Sequence, residues 1–334
     1  MKKTVVFYFL YVVLAITLNA QKKPAWVDKP SSVYPDKLYV SAVGGGRDRA
    51  AAENSAKAAL VSYFKQSITS QVTIVDREQQ AGGRTVSSTS DMAQSIEAVA
   101  ALDTLIGVEI KATWDGGKTG WWAMAVMEKA QAAPLYKEMI QENIRIINNI
   151  LTISESEKNS LEGYSRYQLA ATLADTNEIY YQMLFIMGMA DGIAPGKNGG
   201  SYRIEAAEIA QRIPVLIKVT GDRNDRIKIA FAEALNKAGF RSGDSNSRYV
   251  LNVVLNFAPV ESSGQNKYVR YSVEARLVDQ RQGGAVLFPF SISGRGGHRT
   301  LEEAENRALI AIIREIDETY GSDLLVALAK LVKN

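Results

Sequence analysis

Not one of the 334 residues is a cysteine, and His298 is the only histidine. A chain of this kind cannot be held by disulfides, and it has no thiol nucleophile, zinc ribbon, iron–sulfur cluster or multi-histidine metal centre within one copy. Its fold must rest on apolar packing, for which 46% hydrophobic and 22% charged residues are sufficient. The length suits two modest domains, since single cores rarely grow past about 250–300 residues.

The N-terminus reads as an export address. Lys2 and Lys3 open the chain and no charge follows until Lys22, while Val5 to Leu18 is an apolar run. A basic start, a short apolar stretch and a small residue at the cut make a secretory signal, here residues 1–20 with cleavage after Ala20. The run is shorter than the ~20 residues a spanning helix needs. Cleavage removes Lys2 and Lys3 and lowers the formal net charge from +3 to +1, with 37 basic residues against 36 acidic. That balance gives no electrostatic case for nucleic-acid binding.

The expected fold class is α+β, with two small α/β sandwich-like domains and a long helical hairpin between them. The first domain spans 24–131. Lys37–Val43 reads as a strand, Asp48 as the cap of an Ala-rich helix ending near Ser67, and Gln71–Asp76 as a further strand. Ala81–Arg84 reads as a loop, and Leu105–Trp114 with Gly120–Met127 as a hairpin around Asp115–Gly117. The hairpin of helices spans 133–190. Tyr136, Ile140, Ile144, Ile147 and Leu151 form one apolar stripe, and Leu161, Leu169, Leu173, Tyr180, Leu184 and Met187 a second, parted by Ser154–Glu157. If continuous to Ala190, the second helix is long enough to project from its domain.

Residues 191–201, with four glycines and a proline, read as a linker. The second domain, 202–334, has the order β-α-β-β-β-α-α. Its strands are Val215–Thr220, Tyr249–Phe257, Val269–Asp279 and Ala285–Ser293. A helix from Asp225 to Ala238 ends at Gly239, and Thr300 with Glu303 makes a capping box for the next. The last helix carries Leu324, Leu325, Leu328 and Leu331.

Pro24-Ala25-Trp26-Val27, Leu38 to Gly44 with the Ala-rich helix behind it, Gly107–Ile110 and Trp121–Val126 resemble the LPP-twenty family of outer-membrane lipoproteins. They are similar, too, to the N-terminal domain of the flagellar accessory protein FlgT. Asp225–Ile227 through Lys237–Phe240, Tyr249–Leu251 and Leu277–Asp279 resemble the α/β domain shared by TolB N-termini and the curli secretion protein CsgG. The resemblance implies a non-enzymatic envelope protein associated with the outer membrane or with secretion or motility machinery. The lipoprotein cysteine of the first family is missing here, so lipid anchoring is not implied.

Few stretches can carry chemistry. Gly44-Gly45-Gly46-Arg47 precedes a helix and can hold an anion or serve as a tight turn, but it lacks the Lys-Ser/Thr of a P-loop and the spaced glycines of a dinucleotide site. Gly294-Arg295-Gly296-Gly297-His298-Arg299 has the same placement, read either as a solvated loop or as a site for phosphate or carboxylate through Arg295, His298 and Arg299. Asp222–Asp225 fails as a calcium loop, because Arg226 takes a ligand position and Ile227 the obligatory glycine. Glu302, Glu303 and Glu305 are explained by a helix start. Of Trp121 and Trp122, strand geometry buries one, and the other, with Trp122 as the candidate, either packs against the helical hairpin or stacks on a sugar or anchors a partner. Met183, Met187 and Met189 with Tyr180 and Tyr181 suit a buried helix face or an adaptable interface. The expectation is a periplasmic protein, associated with the outer membrane, that acts without enzymatic activity, cofactor or metal by contact with other envelope proteins. The alternative is a glycan- or anion-binding module. The partner's identity and the oligomeric state are left open.

Overall fold

The computed structural model describes residues 22–81, 105–261 and 265–332. The export address and the Gly82–Arg84 part of the expected loop lie outside them. The architecture is α+β, with a three-stranded and a five-stranded sheet in two compact units. The first unit comprises residues 22–81, 105–136 and 183–191, and the second 137–182, 192–261 and 265–332.

In the first unit, a short helix α1 (Ala25–Asp28) precedes β1 (Tyr39–Gly46), α2 (Arg49–Ala81), β2 (Val108–Asp115) and β3 (Trp121–Glu128). The antiparallel order is β1-β3-β2, with a register shift between Ile110 and Ala112. Asp48 caps α2 as expected, its carboxylate accepting from Ala51 N–H at 2.8 Å. Two expectations fail here. Gln71–Asp76 is helical, part of α2. The β-branched run Val72–Val75 suggests a strand, but helix penalties for such residues are a few tenths of a kcal/mol each, and no Gly or Pro stops the helix before Ala81. Gly44–Gly46 is neither turn nor anion cradle, since all three pair with Ala123, Trp122 and Trp121 of β3. Their missing side chains let α2 lie directly on the strand. A Cβ on Gly44 would stand 2.1 Å from Ala56 N, and one on Gly46 2.4 Å from Ala52 N. Ala52, Ala56, Ala123 and Ala125 fill this thin layer.

Helix α3 (Lys129–Leu151), a short α4 (Glu155–Lys158) and α5 (Leu161–Ile186) follow. Ser154 and Glu157 form a reciprocal capping box at the break, Ser154 Oγ accepting from Glu157 N–H while Ser154 N–H donates to Glu157 Oε2. The pair is not the independent, projecting hairpin expected from its stripes. Residues 137–182 belong to the second unit, and the start of α5 enters that unit's main core through Leu161, Tyr164 and Tyr167. Further along, Ile147, Ala170 and Ala174 form a smaller cluster with Tyr202. The stripe is displaced from the expected one because small Ala170, Ala171 and Ala174 are buried while Leu169 and Leu173 are only half-buried. Between the helices, Asn143 donates from Nδ2 to Asn177 Oδ1 at 2.8 Å, both side chains buried.

The linker expectation is also revised. Its last three residues, Gly199–Ser201, are the first turn of α6 (Gly199–Gln211), capped by Asn198. Gly199 lies so close to α5 that a Cβ would meet Ala171 O at 2.7 Å, and Arg203 pairs with Asp175.

The second unit continues with β4 (Pro214–Thr220), α7 (Arg226–Lys237), β5 (Arg241–Ser242), β6 (Tyr249–Val260), β7 (Lys267–Asp279) and β8 (Ala285–His298). Helix α8 (Leu301–Glu315), a π-helical turn (Ile316–Tyr320) and α9 (Gly321–Ala329) close the chain. Sheet order is β5-β4-β6-β7-β8, with β4 parallel to β5 and β6 and the rest antiparallel. Alternation along β6, β7 and β8 sends Leu251, Val253, Val273, Ala275, Leu277, Phe288 and Ile292 into the core under the helices. The opposite face is exposed at Asn252, Val254, Glu274 and Arg276, while Val250 and Val278 on it are buried. Ile227, Phe231, Ala234 and Leu235 form the buried stripe of α7 as expected. Asp225 is not its side-chain cap: it sits at φ 54, and Asp222 supplies the carboxylate, accepting from Ile227 N–H at 2.8 Å and Lys228 N–H at 3.1 Å.

Candidate functional site

The stretch expected to be a loop or ligand site, Gly294 to His298, is the end of β8. Register pairs Gly294 with Tyr271, Arg295 with Arg270, Gly296 with Val269, Gly297 with Tyr268 and His298 with Lys267. Glycine serves here for close approach. A Cβ on Gly296 would lie 2.4 Å from Ala304 O of α8, and one on Gly294 2.3 Å from the Tyr271 hydroxyl. The solvated-loop reading therefore fails, and the ladder holds Arg295 and His298 in place.

Pleating puts Tyr268, Arg270, Arg295 and Gly297 together on the open face of the sheet. The Tyr268 ring lies over Gly297, where a Cβ would be 2.6 Å from Tyr268 Cε1. On that ring stacks Arg295, its guanidinium carbon 3.9 Å from the centroid. Beside it, Arg270 and Arg295 stand directly opposite one another, both exposed. Like charges at directly opposed strand positions repel, so this pair is no contribution to folding. Lys267 and Arg299 extend the basic group around an open cleft of about 980 Å³, lined by Pro259, Glu261, Tyr268 and Leu301 among others. Among the described residues, none of Lys267, Arg270, Arg295 and Arg299 forms an ion pair. Thr300 begins α8 at the edge of the cleft, accepting from Glu303 N–H at 3.3 Å. His298 is half-buried, with its Nδ1 enclosed and without a hydrogen-bond partner.

Trp122 belongs to the first unit, apart in the chain's organisation from the other three expected residues. It is half-buried against Trp26, Val27, Met124 and Val126, opposite Trp114 and Gly45 in the register. Trp121 points to the other face and packs with Ala52 and Ala56 beneath α2. Neither packs as a free platform, and the Trp122 indole N–H is enclosed without an acceptor. Sequence reasoning missed Lys267, Tyr268 and Arg270, because only the β7–β8 register places them beside Arg295. Among the described residues no three acidic or histidine side chains converge as a metal site. No helix among them is long and apolar enough to cross a membrane.

No family model matches the chain, and no curated protein matches it. Solved structures with similarity include a secreted protein from Helicobacter pylori, at 14% identity and TM-score 0.46, covering 84% of this chain and 98% of that one. A minor lipoprotein from Acinetobacter baumannii is similar over 35% of this chain and 90% of its own, at 15% identity and TM-score 0.25. A lipoprotein from Neisseria meningitidis is similar over 32% of this chain and 96% of its own, at 18% identity and TM-score 0.20.

Proposed function

We propose that the chain is an exported, non-enzymatic component of the bacterial envelope that works by docking to another envelope protein through the basic end of β7–β8. Export is supported by Lys2-Lys3 followed by the uncharged run to Leu18. An envelope role is supported by the LPP-twenty-like stretches around Trp26, Gly44 and Trp121. The observation that carries the docking surface is the opposed Arg270 and Arg295, held on a ladder with no ion pair among the described residues, a repulsion that an acidic surface would relieve.

The test is site-specific photo-cross-linking in native cells, with the reactive side chain at Ser293 beside Arg295, and at Lys57 of α2 as a control. The expected result is one discrete adduct from position 293, in the envelope fraction, absent from position 57 and lost in Arg270→Glu/Arg295→Glu. Recovery of the chain in the cytosol, or an adduct indifferent to the double charge reversal, overturns the proposal.

A further inference from the structure

At the other end of β7, about 40 Å away along the strand at ~3.4 Å per residue, a second basic feature has a different construction. Asp279, the last residue of β7, is buried, its side chain 2% exposed. Burial pushes its carboxyl up, but hydrogen bonds from Arg248 and from Arg281 N–H outweigh that and hold it below the ordinary carboxylate range. Arg248 donates from Nε at 2.9 and 3.0 Å and from Nη2 at 2.6 Å, and Arg281 N–H donates at 2.9 Å. The guanidinium also stacks on Tyr249, 4.9 Å from the ring centroid. Among the described residues, Arg248 Nη1 donates to no protein acceptor, although the side chain is only 23% exposed. The fork is thus fixed with donors to spare.

Arg248 lines a polar cleft of about 510 Å³ whose wall also carries Arg212, Arg281, Ser245, Asn246 and Gln280. Arg212 has a loose partner in Glu208 at 3.7 Å, and Arg281 forms no ion pair among the described residues. The wall is rigid: Asp244 N–H donates to Ser247 Oγ at 3.0 Å, Asn246 N–H to Asp244 Oδ1 at 2.9 Å, and Gln280 N–H to Arg248 O at 2.9 Å. A buried ion pair is weak evidence for stability, because desolvation cancels most of its attraction. A guanidinium pinned by a buried carboxylate, with two further arginines around a small-molecule-sized polar cleft, is instead an anion receptor with its ordering cost already met.

We propose that Arg212, Arg248 and Arg281 bind a small hydrophilic anion, a carboxylate or phosphate compound, at this end of the second unit. The site is independent of the docking surface at Arg270 and Arg295. The test is a thermal-shift and calorimetric titration of the purified full chain with inorganic phosphate and, separately, succinate, at ionic strength held constant with chloride. The expected result is a saturable response to at least one anion, with phosphate and succinate separating the two chemistries. Arg212→Ala and Arg281→Ala, both exposed, should each weaken it about tenfold, the share of one charge-assisted contact, without lowering the melting temperature of the free protein. Arg295→Ala should respond as wild type. Arg248→Ala strands a buried carboxylate and is not needed for the decision. No response beyond the chloride control from either anion, or a wild-type response from both Arg212→Ala and Arg281→Ala, overturns the inference.

Discussion

Gly44, Gly45 and Gly46 offer a three-position test of the packing argument within one strand. None of them has a positive φ, so alanine costs no backbone strain at any of the three. What differs is what the new methyl meets. At Gly44 it would be 2.1 Å from Ala56 N and 2.4 Å from Ser55 C, backbone atoms of α2 that cannot swing away. Ordinary contact starts near 3.4 Å, so the helix must retreat by about 1.3 Å, and by about 1 Å for Gly46. A retreat of that size forfeits a quarter to a half of the dispersion between Ala52, Ala56, Ala123 and Ala125, on top of ~1–3 kcal/mol for overpacking. We expect a loss of about 3 kcal/mol or more for Gly44→Ala and somewhat less for Gly46→Ala. At Gly45 the methyl meets only Trp122 ring carbons at 3.5 Å, so Gly45→Ala should be neutral or gain up to ~1 kcal/mol by restricting the unfolded chain. The assay is tryptophan fluorescence during urea and thermal unfolding. All four tryptophans, Trp26, Trp114, Trp121 and Trp122, lie in the first unit, so the signal reports on that unit alone. For a unit of this size the Gly44→Ala midpoint should fall by roughly 12–24 °C. Equal midpoints for Gly44→Ala and Gly45→Ala would refute the reasoning.

Three further expectations concern buried polar groups of the second unit. Asn177→Ala should cost about 2–3 kcal/mol in urea unfolding followed by circular dichroism, because it strands the buried Asn143 amide and the Pro195 carbonyl, which Asn177 Nδ2 reaches at 3.3 Å. Tyr320→Phe should stabilise by up to ~1 kcal/mol in the same assay, since the Tyr320 hydroxyl is fully enclosed without a partner among Phe231, Phe288 and Phe290. Asp279→Asn should lower the melting temperature at pH 7, with the gap to wild type closing in acid. The folded-state pKa of Asp279 is depressed, so its contribution is complete above the unfolded value near ~4 and is lost as pH falls through the lower folded value. A gap that stays constant from pH 7 to pH 3 would remove Asp279 as its source.

The elements legible in the sequence are those whose period and punctuation agree. Helix α7 shows this in Ile227, Phe231, Ala234 and Leu235 at helical spacing with Gly239 behind them, and β7 in the alternation from Val269 to Leu277. Glycine is where the reading divides, because it has two unrelated uses. Gly283 and Gly284, at φ 67 and 79, make the turn between β7 and β8. Gly44, Gly46, Gly294 and Gly296 have ordinary strand conformations and are glycine because α2, α8 or Tyr271 occupies the place of a side chain. Nothing local distinguishes the two uses, since the second depends on an element that packs across the strand. The same holds for charge. Arg270 and Arg295 are 25 positions apart, and Arg248 and Asp279 31, so neither a repulsive pair nor a pinned guanidinium is visible until register is known. Once it is, the two ends of β7 part company: at Lys267–Arg270 no ion pair among the described residues balances the positive charge, and at Asp279 it is offset by a buried carboxylate beside a cleft. Repulsion on an open face suits a broad acidic partner, and a fixed fork in a cleft suits a small anion, which is why one strand supports two different proposals.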